Sequence, residues 1–479
     1  MRAASGSYRD PENAAVAIGD RWFRVAAPGS AAALTRLRES GLYGSLVGQG
    51  AIVEYQLADA QEEPLVLNRY REATGREVIP GSRVFAVETV DLITYPWEWP
   101  NHLLQAAGLL TLDIREQLLT LGLDLKDASA FNIQFRGMQP LLIDLGSIEV
   151  WRPNPTWNPT RQFVEHFINP LAVGSGRHLS AADVWDLSRR RGLRSEMARS
   201  LMPMRLRWRP SLWVLQASTK PVADHAPVET KYAERAQQNQ ELALKASLSL
   251  TRRLRRQTLR LATAEHRTTW QDYGRREHYA DAELERKVTM SRAFVEHGSR
   301  GRLVLDVGGN DGLVAVDLIA NGAGTVIVMD PDSGALDVLS RSVAGTPELR
   351  GRITPLYADL VNLTPASGLL NSEYSAFTDR IRPTAVLCQA VLHHIVITQG
   401  VPMTRAVEAL AGFGAPLMVE FVTEDDAKAV MLRAQIPNWS GEYSTRALLD
   451  ALDRCFVDVS VVGRTSEHRI AVTTGRPKS

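Results

Sequence analysis

Four short apolar runs in the C-terminal part of the chain each end in a side chain able to bind a polar ligand. LVLDVGGNDG closes one run with Asp306 and then supplies Gly308, Gly309 and Gly312; TVIVMDPD brings Asp330, LYADL brings Asp359, and AVLCQAVLHHI brings Gln389. Glycines suit a tight turn whose backbone approaches a ligand closely. A dinucleotide loop uses G-x-G-x-x-G with a pyrophosphate on the following helix N-terminus. Here the spacing is D-x-G-x-x-x-G, with an acid inside the strand end. That arrangement suits a ligand with a cationic amine and no phosphate. Asp330 at a strand end can accept two ribose hydroxyls, Asp359 can accept an adenine amino group, and Gln389 lies at the floor of the crevice.

Groups for proton transfer follow the same runs. His393 and His394 come just after the fourth strand, where either imidazole can take a proton from an acceptor hydroxyl or amine. Glu420, ending LMVEFV, is a further candidate. Upstream, Trp270, Tyr273 and Tyr279 precede the first strand and form a candidate aromatic lid, or rings that staple a connector helix to the domain.

The elements that position these residues follow from their texture. Short apolar runs alternating with helical patterns predict a parallel sheet with helices on both faces. In such sheets the ligand lies beyond the carboxyl ends of the strands. From about Gly301 onward, the ordered set Asp306, Gly308, Gly309, Gly312, Asp330, Asp359 and Gln389 resembles the class I S-adenosylmethionine (SAM) dependent methyltransferases. The resemblance covers about 180 residues. It implies a Rossmann-like α/β domain, SAM as cofactor and no metal. Asn310 departs from it, standing where a glycine is usual; asparagine tolerates left-handed backbone better than other residues. Asp311 adds a carboxylate near the amino-acid end of SAM. Methyl transfer is an in-line displacement from a sulfonium, so proximity and orientation can supply much of the rate without a base.

The N-terminal half carries a second set. In LDLKDASAFNIQFRGMQPLLIDLGSIE, Asp127 and Asn132 are five apart and Asp144 follows in an apolar strand. This resembles the catalytic loop and metal-binding aspartate of protein and small-molecule kinases, which implies an α+β kinase-like domain and roles for Asp127, Asn132 and Asp144 in holding acceptor and magnesium. Upstream, no G-x-G-x-x-G and no phosphate-binding lysine are recognisable; Arg69 and Arg71 are the nearby basic residues. Three readings stay open: an active kinase, a kinase-like relic serving as a platform, and coincidence.

The 479 residues suit two or three domains. The expected division is a flexible N-terminus at 1–21, a kinase-like domain at 22–220, a helical connector with a possible lid at 221–300, and the methyltransferase domain at 301–479. Residues 22–90 read as a small β-rich region, and 101–121 as a largely buried helix. In the connector, Leu244, Leu248, Leu254 and Leu261 fall on one arc opposite Arg252, Arg253, Arg256 and Arg260, which form a solvated face or a surface for an anionic partner. A net charge of +1 gives no global field for nucleic acid or an anionic membrane. Two cysteines, Cys388 and Cys455, no signal-like leader and no long apolar run lead us to expect a reduced, cytoplasmic protein.

YPWEW (Tyr95 to Trp99), LKDASAFNIQF, RQFVEHF (Arg161 to Phe167), WQDYG (Trp270 to Gly274) and LVLDVGGNDG together resemble one bacterial group, the nodulation-protein-like large SAM methyltransferases often found in biosynthetic gene clusters. This implies a small-molecule acceptor, with O- or N-methylation in specialised-metabolite biosynthesis. A bifunctional methyltransferase and kinase, or a SAM-binding partner module without turnover, are the alternatives. Acceptor identity and oligomeric state, including a homo-oligomer, are open.

Overall fold

The computed structural model describes residues 10, 12–153, 156–204, 239–261, 281–297 and 300–478. The chain divides into two compact units. Unit 1 is Met1–Phe135, Gln139–His266 and Gly368–Tyr374; unit 2 is Arg136–Met138, Arg267–Ser367 and Ser375–Ser479.

Unit 1 begins with an antiparallel hairpin, β1 (Asn13–Ile18) and β2 (Arg21–Ala26), which joins β3 (Tyr55–Leu57) and β4 (Arg83–Val87) in a sheet of order β1-β2-β4-β3. Alternation along the strands turns Ala14, Val16, Phe23, Val25, Val84 and Ala86 inward, where they meet Val66 and Tyr70 of helix Glu62–Thr74. The flexible segment expected at 1–21 is thus corrected over 13–18. NAAVAI is short and alanine-rich, yet pairing with Arg21–Ala26 and burial of its inward residues hold it as a strand.

The expected buried helix is present at Asn101–Thr120, with Leu103, Leu104, Ala107, Leu112, Ile114 and Leu118 inside. Helix Gln240–Leu261 belongs to unit 1 and packs on it through Ala243, Ser247, Thr251, Leu254 and Thr258. Its place in unit 1 corrects the connector expected at 221–300; within the leucine arc Leu254 is buried and Leu244, Leu248 and Leu261 are half-buried, while Arg252, Arg253, Arg256 and Arg260 are exposed. A stripe of small side chains lets the two backbones come close, and Gln105 Nε2 donates to the Thr258 carbonyl at 2.9 Å.

That close approach encloses Arg115, which has no exposed surface. Its guanidinium donates to both oxygens of Asp124 at 2.8 and 3.1 Å and to the Thr251 hydroxyl, and it lies 4.4 Å from the centre of the Trp157 ring. Asp124 is the central residue of β5 (Leu123–Leu125), which pairs with β8 (Ile148–Val150); the pair flanks the hairpin β6 (Ile133–Arg136) and β7 (Gln139–Leu142) in sequence.

Unit 2 is a doubly wound α/β domain with β9 (Leu303–Val307), β10 (Thr325–Asp330), β11 (Ile353–Tyr357), β12 (Ala385–Gln389), β13 (Leu417–Val422), β14 (Ser460–Ser466) and β15 (Arg469–Thr473). The order is β11-β10-β9-β12-β13-β15-β14; the first five run parallel and β15 is antiparallel to both neighbours. Helices cover both faces, which is why β10, β12 and β13 are almost wholly buried apolar runs. Chain order reverses direction between β9 and β12, which opens a crevice beyond their carboxyl ends. Among the described residues, no helix is long and apolar enough to cross a membrane.

We expect Arg115→Met to destabilise unit 1 by about 3–5 kcal/mol, because Asp124 would stay buried without its counter-charge. Denaturant midpoints of the variant and of the double variant Arg115→Met/Asp124→Leu measure this, the double variant recovering part of the loss.

Candidate functional site

Asp306 is the penultimate residue of β9 and Asp330 ends β10, and the glycine loop follows β9. Gly308 has φ +70° and its N–H donates to the Met329 carbonyl at 2.7 Å. A Cβ there would strike Val391, and one on Gly309 would fall 2.7 Å from Asp306 Oδ2, so both positions exclude a side chain. Asn310 takes φ +49°, the left-handed backbone expected of it, and its N–H donates to Asp330 Oδ2 at 2.9 Å. The Asp332 N–H donates to Asp330 Oδ1 at 2.8 Å. Each Asp330 oxygen therefore holds one backbone donor and keeps a lone pair for another.

Asp306 and Asp330 are 3% and 6% exposed. Burial pushes Asp306 up to about 6, against the pull of Lys287 and with the repulsion of Asp311. Burial pushes Asp330 up to about 7, with the two backbone donors pulling it back. These are carboxylates whose charge is incompletely balanced by the protein. A ligand offering an ammonium and hydroxyl donors would supply what they lack, so the donor set fits the amino and ribose ends of SAM. Asp359, two residues after β11, caps a turn by accepting the Val361 N–H at 3.1 Å, and β11 is the strand beside that of Asp330. It combines the turn role with a place on the same rim.

Gln389 ends β12 in register with Glu420 on β13. Its Nε2 donates to Ser291 Oγ at 2.6 Å. The next residue, Ala390, takes φ +55°, a strained conformation for a side chain with a Cβ, and its N–H donates to the Glu420 carbonyl at 2.9 Å. That turn delivers His393 and His394, whose ring centres lie 4.0 Å apart. His393 is buried and its Nδ1 has no hydrogen-bond partner among the described residues. Burial drives His393 far below the usual histidine range and His394 down to about 4, so both rings are neutral at pH 7.

Glu420 departs from its expected use as a base. It is fully buried and forms an ion pair with Lys287 at 3.2 Å, while Thr465 Oγ1 donates to it at 2.5 Å. Burial raises its pKa, but Lys287, Thr465 and Arg469 outweigh that and hold it below the usual carboxylate range. A carboxylate so engaged is poorly placed to take a proton. Lys287, Ser291 and Ala390 were not among the residues singled out in the sequence. The four-residue spacing of Lys287 and Ser291, which places both on one face of helix Asp281–Val295, is the signal that was there to find. Trp270, Tyr273 and Tyr279 lie outside the described residues.

The second set lies in unit 1. Asp127 Oδ1 accepts the Ser129 N–H at 2.8 Å; burial and then the charge of Asp144 raise its pKa, with Gln162 and Asn132 opposing. Asp144 is paired with Arg24 of β2 at 2.9 Å. Arg69 and Arg71 instead lie on helix Glu62–Thr74, paired with Glu72 and Glu77. The cation facing Asp144 is thus Arg24. Among the described residues, no group of three or more His, Cys, Asp and Glu is arranged to hold a metal.

A mostly parallel seven-stranded sheet with acids at or just beyond the carboxyl ends of β9, β10 and β11 makes unit 2 a Rossmann-like α/β domain. No family model matches the chain. It is similar to nodulation protein NoeA of Rhizobium meliloti (strain 1021), 28% identical over 474 residues that cover 94% of this chain and 91% of that protein. Among solved structures, magnesium protoporphyrin IX methyltransferase (ChlM) from Synechocystis PCC 6803 with bound SAH is 18% identical, covering 44% of this chain and 95% of ChlM with a TM-score of 0.32. The bifunctional kinase-methyltransferase WbdD is 15% identical over 41% of this chain and 40% of WbdD, with a TM-score of 0.29. The match thus spans less than half of WbdD.

The buried carboxylates make the ligand-free protein sensitive to pH. Asp330 has a folded pKa above its unfolded value, so between about pH 4 and 7 the folded state binds the extra proton. Its contribution to stability is present in acid and is lost as pH rises through about 7. His393 and His394 act oppositely, since their folded values are depressed and acid destabilises them. The informative quantity is therefore a difference: the stability of the protein relative to Asp330→Asn should fall between pH 5.5 and 8. Thermal melts across that range check it, and a difference that grows with pH contradicts the burial argument.

Proposed function

We propose that unit 2 is a SAM-dependent methyltransferase domain that methylates an oxygen or nitrogen of a small-molecule acceptor in specialised-metabolite biosynthesis. The observation that carries this is the row of three acids at or just beyond the ends of adjacent strands β9, β10 and β11 around a loop built without side chains at Gly308 and Gly309. In this reading Asp306 faces the SAM ammonium, Asp330 the ribose hydroxyls and Asp359 the adenine amino group, with Gly312, Asp311 and Gln389 completing the walls. The similarity to NoeA runs through both units and is consistent with their acting as one enzyme.

SAM brings a methyl group on a cationic sulfur. The chain's own residues hold it and aim it, and the expected gain comes chiefly from orientation. Of the three proton acceptors, His394 is the one we assign. It is half-buried where His393 is enclosed, and Glu420 is held by Lys287. A ring held at about 4 is a weak base that is fully available at neutral pH.

Methyl-labelled SAM supplied with candidate polyhydroxylated or amine acceptors tests the activity. Calorimetry with S-adenosylhomocysteine (SAH) tests the site. Asp330→Ala should weaken SAH binding by on the order of tenfold or more, through loss of a buried charged acceptor; unchanged affinity in a folded variant removes Asp330 from the site. His394→Asn should lower kcat by roughly a hundredfold or less, with KM for SAM unchanged.

For unit 1 we propose a kinase-like platform that helps present the acceptor and does not transfer phosphate. Asp127, Asn132 and Asp144 keep their spacing, but Asp144 is already paired with Arg24. Phosphoryl transfer depends on groups that position and neutralise the nucleotide. Incubation with magnesium and labelled ATP, with and without acceptor, should give no phosphate transfer. Acceptor-dependent transfer that vanishes in Asp144→Asn would establish the bifunctional alternative instead.

A further inference from the structure

Helix Asp281–Val295 reaches three strands of the sheet, β12, β13 and β14, through polar contacts. Lys287 pairs with Glu420 of β13 at 3.2 Å, Ser291 accepts from Gln389 of β12 at 2.6 Å, and Arg286 Nε donates to the Thr465 carbonyl of β14 at 2.9 Å. Lys287 is enclosed, its side chain 13% exposed. We infer that Lys287 is a positioning residue of the cofactor crevice, a largely enclosed ammonium that is counter-charge to carboxylates on two strands, Asp306 on β9 and Glu420 on β13. This rests on the SAM reading of the crevice and deepens it.

Two strands of the sheet, β9 and β13, flank β12. A cation lying over β12 can therefore act on acids to either side. The charged groups bearing on Asp306 are Lys287, which favours its ionised form, and Asp311 and Asp330, which oppose it; Cys388 beside it is a neutral thiol pushed up to about 12 by burial. Those bearing on Glu420 are Lys287 and Arg469, with the Thr465 hydroxyl. Arg469 thus helps at Glu420, whereas at Asp306 the compensating charge is that of Lys287. A ligand ammonium is attracted to Asp306 when that carboxylate is ionised. Removing Lys287 leaves burial and two neighbouring acids to favour the proton, and the ammonium of SAM loses its partner at neutral pH. Lys287 acts on the ligand through Asp306, so its effect is confined to ligands that carry the ammonium.

The test compares SAH with methylthioadenosine, which lacks the amino-acid portion, by calorimetry between pH 5.5 and 8.5. In Lys287→Met we expect SAH binding at pH 7 to weaken by on the order of tenfold, with the midpoint of its pH dependence shifted upward, while methylthioadenosine binding changes little. Lys287→Arg should restore SAH binding. If Lys287→Met fails to fold, Lys287→Met/Glu420→Gln, which removes the orphaned charge, carries the same comparison. Equal weakening of both ligands, or an unmoved pH midpoint, would show a packing role alone and overturn the inference. If the unaltered protein binds methylthioadenosine but not SAH, the assignment of Asp306 to the ammonium fails, and Lys287 with it. If it binds neither, the SAM reading itself is wrong.

Discussion

Asp306 and Asp330 lie at the carboxyl ends of two adjacent parallel strands almost out of reach of water, and the rest of unit 2 answers to that condition. Two such charges repel and resist burial. Asp330 receives the Asn310 amide from the loop between the strands and the Asp332 amide from the turn after β10, and a helix arriving from earlier in the chain offers Lys287 to Asp306. The compensation is partial, which leaves both carboxyls well above their ordinary values and makes the crevice most complementary to a ligand that brings its own positive charge and hydroxyl donors. Glycine at 309 follows from the same demand, since a side chain there would crowd Asp306, while Gly308 gives way to Val391.

Unit 1 handles buried charge by a different rule. Arg115 is balanced within the protein, by both oxygens of Asp124, the Thr251 hydroxyl and the Trp157 ring, so it asks for no ligand. Its enclosure depends on small residues along helix Gln240–Leu261, because larger ones would hold the two helices apart. Arg24 and Asp144 are likewise matched with each other. The contrast separates charges that hold a fold together from charges that wait for a partner.

The row of acids in unit 2 was legible because apolar runs of strand length ended in polar residues in a fixed order, a local pattern that parallel sheets impose. The helix at Asn101–Thr120 was legible from its periodicity for the same reason. The counter-charges were not. Arg24 meets a residue 120 positions later and Lys287 one 133 positions later, and no local pattern encodes such pairings. The leucine arc marked the packing side only through Leu254, because a wheel gives little weight to the small Ala243, Ser247 and Thr251 that lie in the contact with it. Strand β1 escaped notice because alanines carry little hydrophobic signal until a partner strand is in place.

Ala390 gives the turn before the histidine pair a conformation that costs about 1–2 kcal/mol for a residue with a Cβ. A glycine would remove that cost and, with it, the narrowness of the turn, since glycine samples many backbone shapes there. With alanine, a single shape is locked by the Glu420 carbonyl, and the direction from which His394 is presented is settled when the domain folds. An incoming molecule then meets a finished wall. The fit at this turn is a matter of shape at first encounter, with little room for the backbone to mould itself around a poor match.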